Sequence, residues 1–411
     1  MDLDDHAAAG ERLPITAVDL FAGCGGFSAG FSRFSQEHPA LPPFRTVAAV
    51  EFDRAAAATY AANYPEAEVF QDDIVHFDPA PYAGRVEVVT GGPPCQGFSG
   101  LGRGNGDDPR NQLWREYLRV VSVVQPKVFV LENVDRFTKT WEFEQLAAAS
   151  TAAGGALSDY SLSAKTLNAA DYGVPQARRR AIVIGTRRDL PPLQHPAATH
   201  IDPRRVPSEP ALSFGGTAGG WDRRPWDPVQ GVFDRSARRR ISGTELPAGT
   251  AMRRPGHPVA GPYRTTDLHF GRNPTPLSLA RYAVIPRGGN RRDLEGRYAD
   301  IHGVRTYLST SSWDAHRSGT ADVMGRLHAD RPSVTIRTEF FKPEKGRYLH
   351  PSENRPITHY EAALIQDFPD HYRWHGTKTE IARQIGNAVP VGLSCALAGA
   401  IHAHLRGRSR P

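Results

Sequence analysis

The sequence predicts an α/β fold: a doubly wound sheet with helices on both faces, plus a small irregular domain inserted before the C-terminal end. Three observations predict it. Short apolar runs alternate with helical stretches through the first half, glycine- and proline-rich turns follow those runs, and periodicity dissolves near residue 191 and returns near residue 358.

The runs TAVDLF (16–21), TVAAVEF (46–52), VEVVTGG (86–92), KVFVLENV (127–134) and RRAIVIGT (179–186) read as strands. Between them FSAGFSRFSQEH (27–38), RAAAATYAANY (54–64) and LWREYLRVVSVV (113–124) repeat apolar residues every three or four positions, as amphipathic helices do. Such alternation implies βαβ units and a parallel sheet covered on both faces, with ligands at the carboxyl ends of the strands. From 191 the many Pro and Gly residues leave loops and short strands. Thr358-His359-Tyr360-Glu361 is a capping box that opens a helix, and VGLSCALAGAIHAHL reads as a buried helix after Gly386 and Pro390. The expected division is 1–190 for the first part of a catalytic domain, 191–350 for an insert, and 351–411 for a return that completes the catalytic domain.

Three cysteines, Cys24, Cys95 and Cys395, are too few and too scattered for a disulfide framework, and nothing has zinc-ligand spacing. The start, MDLDDHAAAGERLP, has no apolar signal-peptide core, and no apolar run approaches membrane-spanning length. A metal-free, cytoplasmic protein is expected. Residues 191–330 hold 20 Arg and no Lys against 13 Asp plus Glu, whereas the whole chain nets only +6. A basic insert in a near-neutral chain suits a polyanion-binding face; coding bias toward Arg, Ala, Gly and Pro would give the same count.

Four motifs carry chemistry. In DLFAGCGGFSAGF (19–31) a strand passes through a glycine turn into a helix, letting backbone approach a ligand closely. The dinucleotide pattern GxGxxG is not met, because Ser28 stands at its third position, and a tight structural turn would look similar. Glu51 ends the next strand, where an acid can accept from both ribose hydroxyls, and Asp72-Asp73-Ile74 follows where an adenine-contacting turn belongs. Together they describe a nucleoside cofactor. Next, Gly91-Gly92-Pro93-Pro94-Cys95 presents a thiol on a stiff loop beyond a strand; an isolated cysteine is more often buried and inert, but these flanks argue otherwise. LGRGNGDDPRNQ after it suits a closing lid. Glu132 follows an apolar strand at the same sheet edge. In QARRR (176–180) alternation sends Arg178 and Arg180 to one side and Arg179 to the other.

PPCQGFS, LENV, QARRR, RPSVTIRT (331–338), EAALIQDFP (361–369) and QIGNAVP, in this order, resemble the DNA cytosine-5 methyltransferase family over nearly the whole chain. The resemblance implies a Rossmann-like S-adenosylmethionine-dependent methyltransferase sheet and a target-recognition insert that binds duplex DNA and flips the base out. It implies Cys95 as a nucleophile on cytosine carbon 6, Glu132 on the N3/N4 edge, Arg180 on O2, and Arg178 as electrostatic support. For S-adenosyl-L-methionine it implies Phe21, Gly23, Cys24, Gly25 and Gly26 around the methionine and ribose. Glu51 would hold the ribose, Phe52 the adenine face, and Asp73 with Ile74 the adenine edge. Pro94, Leu113, Asn387 and Val389 would close the pocket. A monomer with a cognate restriction endonuclease is the expected setting. Two departures stand out: Cys24 replaces a usual aliphatic, and Tyr360 stands where Arg is frequent. The competing readings are the same chemistry on tRNA, a DNA-binding regulator without catalysis, and amino-methylation, which would want an Asn/Asp-Pro-Pro-aromatic loop instead of Gly92-Pro93-Pro94-Cys95.

Overall fold

The computed structural model describes residues 13–94, 113–205, 223–248, 252–254, 257–315 and 322–407. Strands β1 (Ile15–Leu20), β2 (Phe44–Val50), β3 (Glu68–Phe70), β4 (Val88–Gly91), β5 (Val128–Val134), β6 (Tyr160–Asn168) and β7 (Arg179–Arg187) form one sheet in the order 3-2-1-4-5-7-6. The first five are parallel. β7 runs antiparallel to β5, and β6 antiparallel to β7. The all-parallel expectation is corrected here: the sheet is mixed, because β6 and β7 close its edge as neighbours joined by a loop and need no crossover helix. β6 itself escaped the sequence reading.

Helices α1 (Gly26–Glu37), α2 (Arg54–Asn63), α3 (Leu113–Val124) and α4 (Trp141–Thr151) cover the sheet, joined on one side by α10 (Val391–Arg406). Their faces follow from spacing. Phe27, Phe31 and Phe34 recur at helical intervals in α1 and are all buried. Trp114, Tyr117, Leu118, Val121 and Val124 do the same in α3. Asp53 caps α2, accepting from the Ala55 and Ala56 amides at 3.0 Å. A Cβ on Gly30 would come within 2.2 Å of the Ser394 Cβ, so glycine is what lets α1 and α10 touch.

Beyond β7 lie short helices α5 (Gln230–Ser236), α6 (Pro276–Val284) and α7 (Ser311–Ala315), and a hairpin of Tyr298–Ile301 with Val304–Tyr307. Val232 and Phe233 of α5 join a large apolar cluster shared with the C-terminal return, whereas the core around α6 and the hairpin is small, and buried arginines knit the backbone there. Arg326, 3% exposed, donates to the carbonyls of Tyr282, Ile285, His350 and Glu353 and to the Asn354 side chain. Arg347 donates to Gly288, Gly289 and Arg326 carbonyls, and Arg291 to that of Trp313. Part of the basic excess is therefore structural, not outward-facing.

Helices α8 (His359–Ile365) and α9 (Lys378–Asn387) lead back to the sheet, and the Thr358–Glu361 capping box forms as expected. Among the described residues no single helix is long and apolar enough to cross a membrane.

Candidate active site

The strand order reverses between β1 and β4, and a doubly wound sheet opens its ligand crevice at such a point. The turn after β1 has left-handed backbone at Phe21, Gly23 and Gly25, with φ of 52°, 55° and 91°. A Cβ on Gly25 would strike Tyr64 and the Tyr372 hydroxyl, and one on Gly26 would lie 2.6 Å from the Val389 carbonyl. At Gly23 a Cβ would meet nothing within 4 Å among the described residues, which leave that side of the turn open to a ligand. The return from α9 thus lies against the helix start, with Val389 buried and Asn387 exposed.

The Gly23 amide donates to Glu51 Oε2 at 2.7 Å and the Asp53 amide to Oε1 at 2.8 Å. Burial pushes the Glu51 carboxyl above its usual range. Phe52 beside it is 72% exposed, a large ring presented at the strand end. Asp73 accepts from the Val75 amide at 3.1 Å, and Ile74 is buried. Arg119 of α3 fixes this turn by donating to the carbonyls of Ile74 at 2.8 Å and Phe77 at 3.1 Å. Sequence reasoning missed Arg119, although its place on the polar side of α3 was readable. Phe21 and Leu113 are half-buried against the same apolar cluster as Ile74.

Cys24 turns its side chain inward. Its thiol points into the core, 1% exposed, and donates to the Gln384 carbonyl at 3.6 Å, while its own carbonyl accepts from Tyr372. Burial pushes this thiol far above its ordinary value.

On the other side of the crevice, β5 and β7 are in register with Val134 opposite Arg180 and Glu132 opposite Ile182. Arg180 and Glu132 are therefore diagonal neighbours on one face. Arg180 Nε lies 2.8 Å from Glu132 Oε1, both side chains largely buried. A Cβ on Gly92 would be 3.0 Å from Glu132 Oε2, and Asn133 Nδ2 donates to the Pro93 carbonyl at 3.1 Å. The foot of the loop that carries Cys95 is thus tied to the end of β5. Pro94 is exposed; Cys95 and the following Gly/Asn stretch lie outside the described residues.

The QARRR alternation appears as burial: Arg178 is 2% exposed, Arg180 largely buried, and Arg179 exposed. Arg178 donates to the Ile336 carbonyl at 2.9 Å. Burial and the neighbouring Arg180 push it down to about 9, so it stays a cation at neutral pH. Gln176 completes the seam. It accepts from the Ile336 amide at 2.8 Å and donates to Gln366 Oε1 at 2.7 Å. The structure therefore gathers Glu132, Arg178, Arg180 and Gly92 on one side of the crevice, and Phe21, Gly23, Gly25, Gly26, Glu51 and Val389 on the other.

A family model described as C-5 cytosine-specific DNA methylase matches residues 15–216 and 286–403. The chain is 31% identical to the type II methyltransferase M1.HphI of Haemophilus parahaemolyticus, covering 95% of this chain and 87% of that one. It is 32% identical to M.XorII of Xanthomonas oryzae, covering 95% and 85%. Among solved structures, one described as a prophage-encoded DNA modification methyltransferase (E. coli) superposes with a TM-score of 0.62 at 22% identity, covering 95% of this chain and 99% of that one. The S. pombe Dnmt2 methyltransferase gives 0.52 at 14% identity, covering 95% and 98%. These structural likenesses speak for the fold.

Proposed function

Because the chain belongs to the C-5 cytosine-specific DNA methylase family, we propose that it methylates carbon 5 of a flipped-out cytosine in a specific duplex DNA sequence. We place it in a bacterial restriction–modification system, acting in the cytoplasm as a monomer beside a cognate endonuclease. The observation that carries the reading is the buried Glu132–Arg180 pair, 2.8 Å apart, at the foot of the Gly92-Pro93-Pro94 loop.

The residues around the glycine turn fit a nucleoside donor. Glu51 is held by two amides with lone pairs left for ribose hydroxyls, Gly23 leaves an open approach, and Phe52 offers a free ring face. Asp73 and Ile74 would meet the adenine edge, and Leu113, Pro94, Asn387 and Val389 would border the pocket. S-adenosyl-L-methionine, when bound, supplies the methyl group as an electrophile on a sulfonium.

Carbon 5 of cytosine is a poor nucleophile. Addition of the Cys95 thiolate to carbon 6 breaks the ring's conjugation and makes carbon 5 enamine-like. Glu132 then delivers a proton toward N3 as negative charge develops there, and Arg180 steadies both the Glu132 carboxyl and the ring O2. Arg178, a buried cation behind Arg180, favours the anionic states of the site. Water removes the carbon 5 proton, the electrons of that bond form the carbon 5–carbon 6 double bond as the Cys95 thiolate leaves, and Glu132 takes back the N3 proton. Extruding the base costs about a few kcal/mol. Residues 191–350 act as the target-recognition insert that offsets it with phosphate and groove contacts, between catalytic segments 1–190 and 351–411.

Bisulfite or nanopore sequencing of DNA from cells expressing the chain should show 5-methylcytosine within one motif. Cys95→Ala should remove it. Unchanged methylation in that variant, or labelling of total tRNA but not duplex DNA, refutes the proposal.

A further inference from the structure

Asp19, next to last in β1, is 2% exposed. Its Oδ1 accepts from Thr90 at 2.9 Å and its Oδ2 from Ser28 at 3.0 Å. Ser28 also shares hydrogen bonds with the Tyr60 hydroxyl at 2.6 Å and with Thr46 at 3.3 Å. The groups that face this carboxyl come from β2, β4, α1, α2 and α3: the hydroxyls of Thr46, Thr90, Ser28, Tyr60 and Tyr117. Farther out lie Tyr64 and the Cys24 thiol. A second carboxylate, Glu51, adds an unfavourable charge to it. Among the described residues no Lys, Arg or His pairs with either acid. A buried carboxylate is normally matched by a cation. Without one, burial pushes Asp19 up to about 7 and Glu51 upward as well.

We infer that Asp19, together with Glu51, is a counter-charge that makes the pocket select the positively charged methyl donor over the neutral thioether left after transfer. The inference rests on the cofactor reading above. At neutral pH the donor carries a net positive charge and the thioether product carries none. A cation entering this low-dielectric crevice favours the ionised Asp19 carboxylate, whose proton passes to solvent. The thioether brings no such charge, so the proton stays. Discrimination against product then grows as pH rises through 7, easing product inhibition.

Calorimetric titration of the full chain, in buffers of different ionisation heat at pH 6, 7 and 8, tests this. The probes are S-adenosylmethionine, S-adenosylhomocysteine and sinefungin, whose ammonium replaces the sulfonium. At pH 7 about half a proton should be released with each cationic probe and almost none with the thioether. Affinity for the cationic probes should tighten about tenfold from pH 6 to 8, with the thioether's unchanged. Asp19→Asn should abolish the proton release and the pH slope while leaving thioether affinity within about twofold. Equal proton release for all three probes, or an Asp19→Asn loss equal for donor and thioether, overturns the inference. If Asp19→Asn does not fold, the wild-type comparison of the three probes decides alone. Binding of none of them would sink the cofactor reading instead.

Discussion

The sheet and the segment that follows it order their backbones by different physics. Around the sheet, aromatic and aliphatic side chains at helical or strand spacing bury one another, and hydrogen bonds run strand to strand. Around α6, α7 and the hairpin the chain buries only a small apolar cluster of Tyr282, Ile285, Leu294, Leu308, Met324 and Leu349. Guanidinium groups at Arg291, Arg326 and Arg347 instead collect carbonyls that no strand or helix satisfies. Buried backbone acceptors must be paired, and an irregular segment needs side chains to do it. The sheet is stabilised by shape, whereas this part of the insert leans on a few polar hubs, so the two should fail differently.

The largest effect is expected at such a hub. Arg326→Met leaves several buried carbonyls unpaired and should cost roughly 5 kcal/mol. Chemical denaturation should show an early transition for the insert, DNA binding should be lost, and donor binding should persist. One cooperative transition would mean that the two regions are energetically a single unit.

Acid attacks the seam between them. His359 is packed among Phe270, Phe340 and Phe341, and its Nε2 sits 2.9 Å from the Lys378 carbonyl; burial pushes it down to about 3. His350 is pushed down to about 4 by burial and the nearby Arg355. Both bind fewer protons folded than unfolded, so the stability they contribute is full above pH 6.5 and is lost as pH falls toward 3. For His359 this amounts to about 5 kcal/mol, and His359→Phe should flatten the acid limb of a stability–pH curve. The buried acids beneath the glycine turn behave oppositely. Asp19 binds more protons folded than unfolded, so its contribution declines from pH 4 to 7.

The sheet side breaks sterically. A Cβ on Gly185 would come within 2.0 Å of the Phe129 ring, so Gly185→Ala should cost about 3 kcal/mol and lower the main thermal transition. The smallest effect belongs to the rim, where Arg179 and Asp135 stand 3.8 Å apart and exposed. Asp135→Asn should move the melting midpoint by less than the equivalent of about 0.5 kcal/mol.

This contrast explains what the sequence could tell. β1, β2, β4, β5 and β7 were legible because strands buried on both faces read as apolar runs. β6 was not: Ser161, Ser163, Lys165 and Thr166 leave it an edge strand anchored by Tyr160 and Leu167. Glu132 and Arg180 were legible as residues, but their pairing depends on an antiparallel register that only the strand order sets. In the insert, arginine was counted as surface charge. A buried carbonyl collector and a phosphate-facing side chain have the same letter, and burial alone separates them. Asp19 went unread because its consequence lies in the lack of a cation among the described residues around it, a property of the assembled surroundings.

The contact of Gly26 with the Val389 backbone has a consequence for biosynthesis. The glycine turn leaves the ribosome early, but the segment that lies over it emerges several hundred residues later. In the interval the nascent chain holds an uncovered glycine turn, and methyl transfer must wait until translation has passed α10. A ribosome stalled within the insert would therefore display an inert polypeptide, whatever catalytic groups it had already exposed.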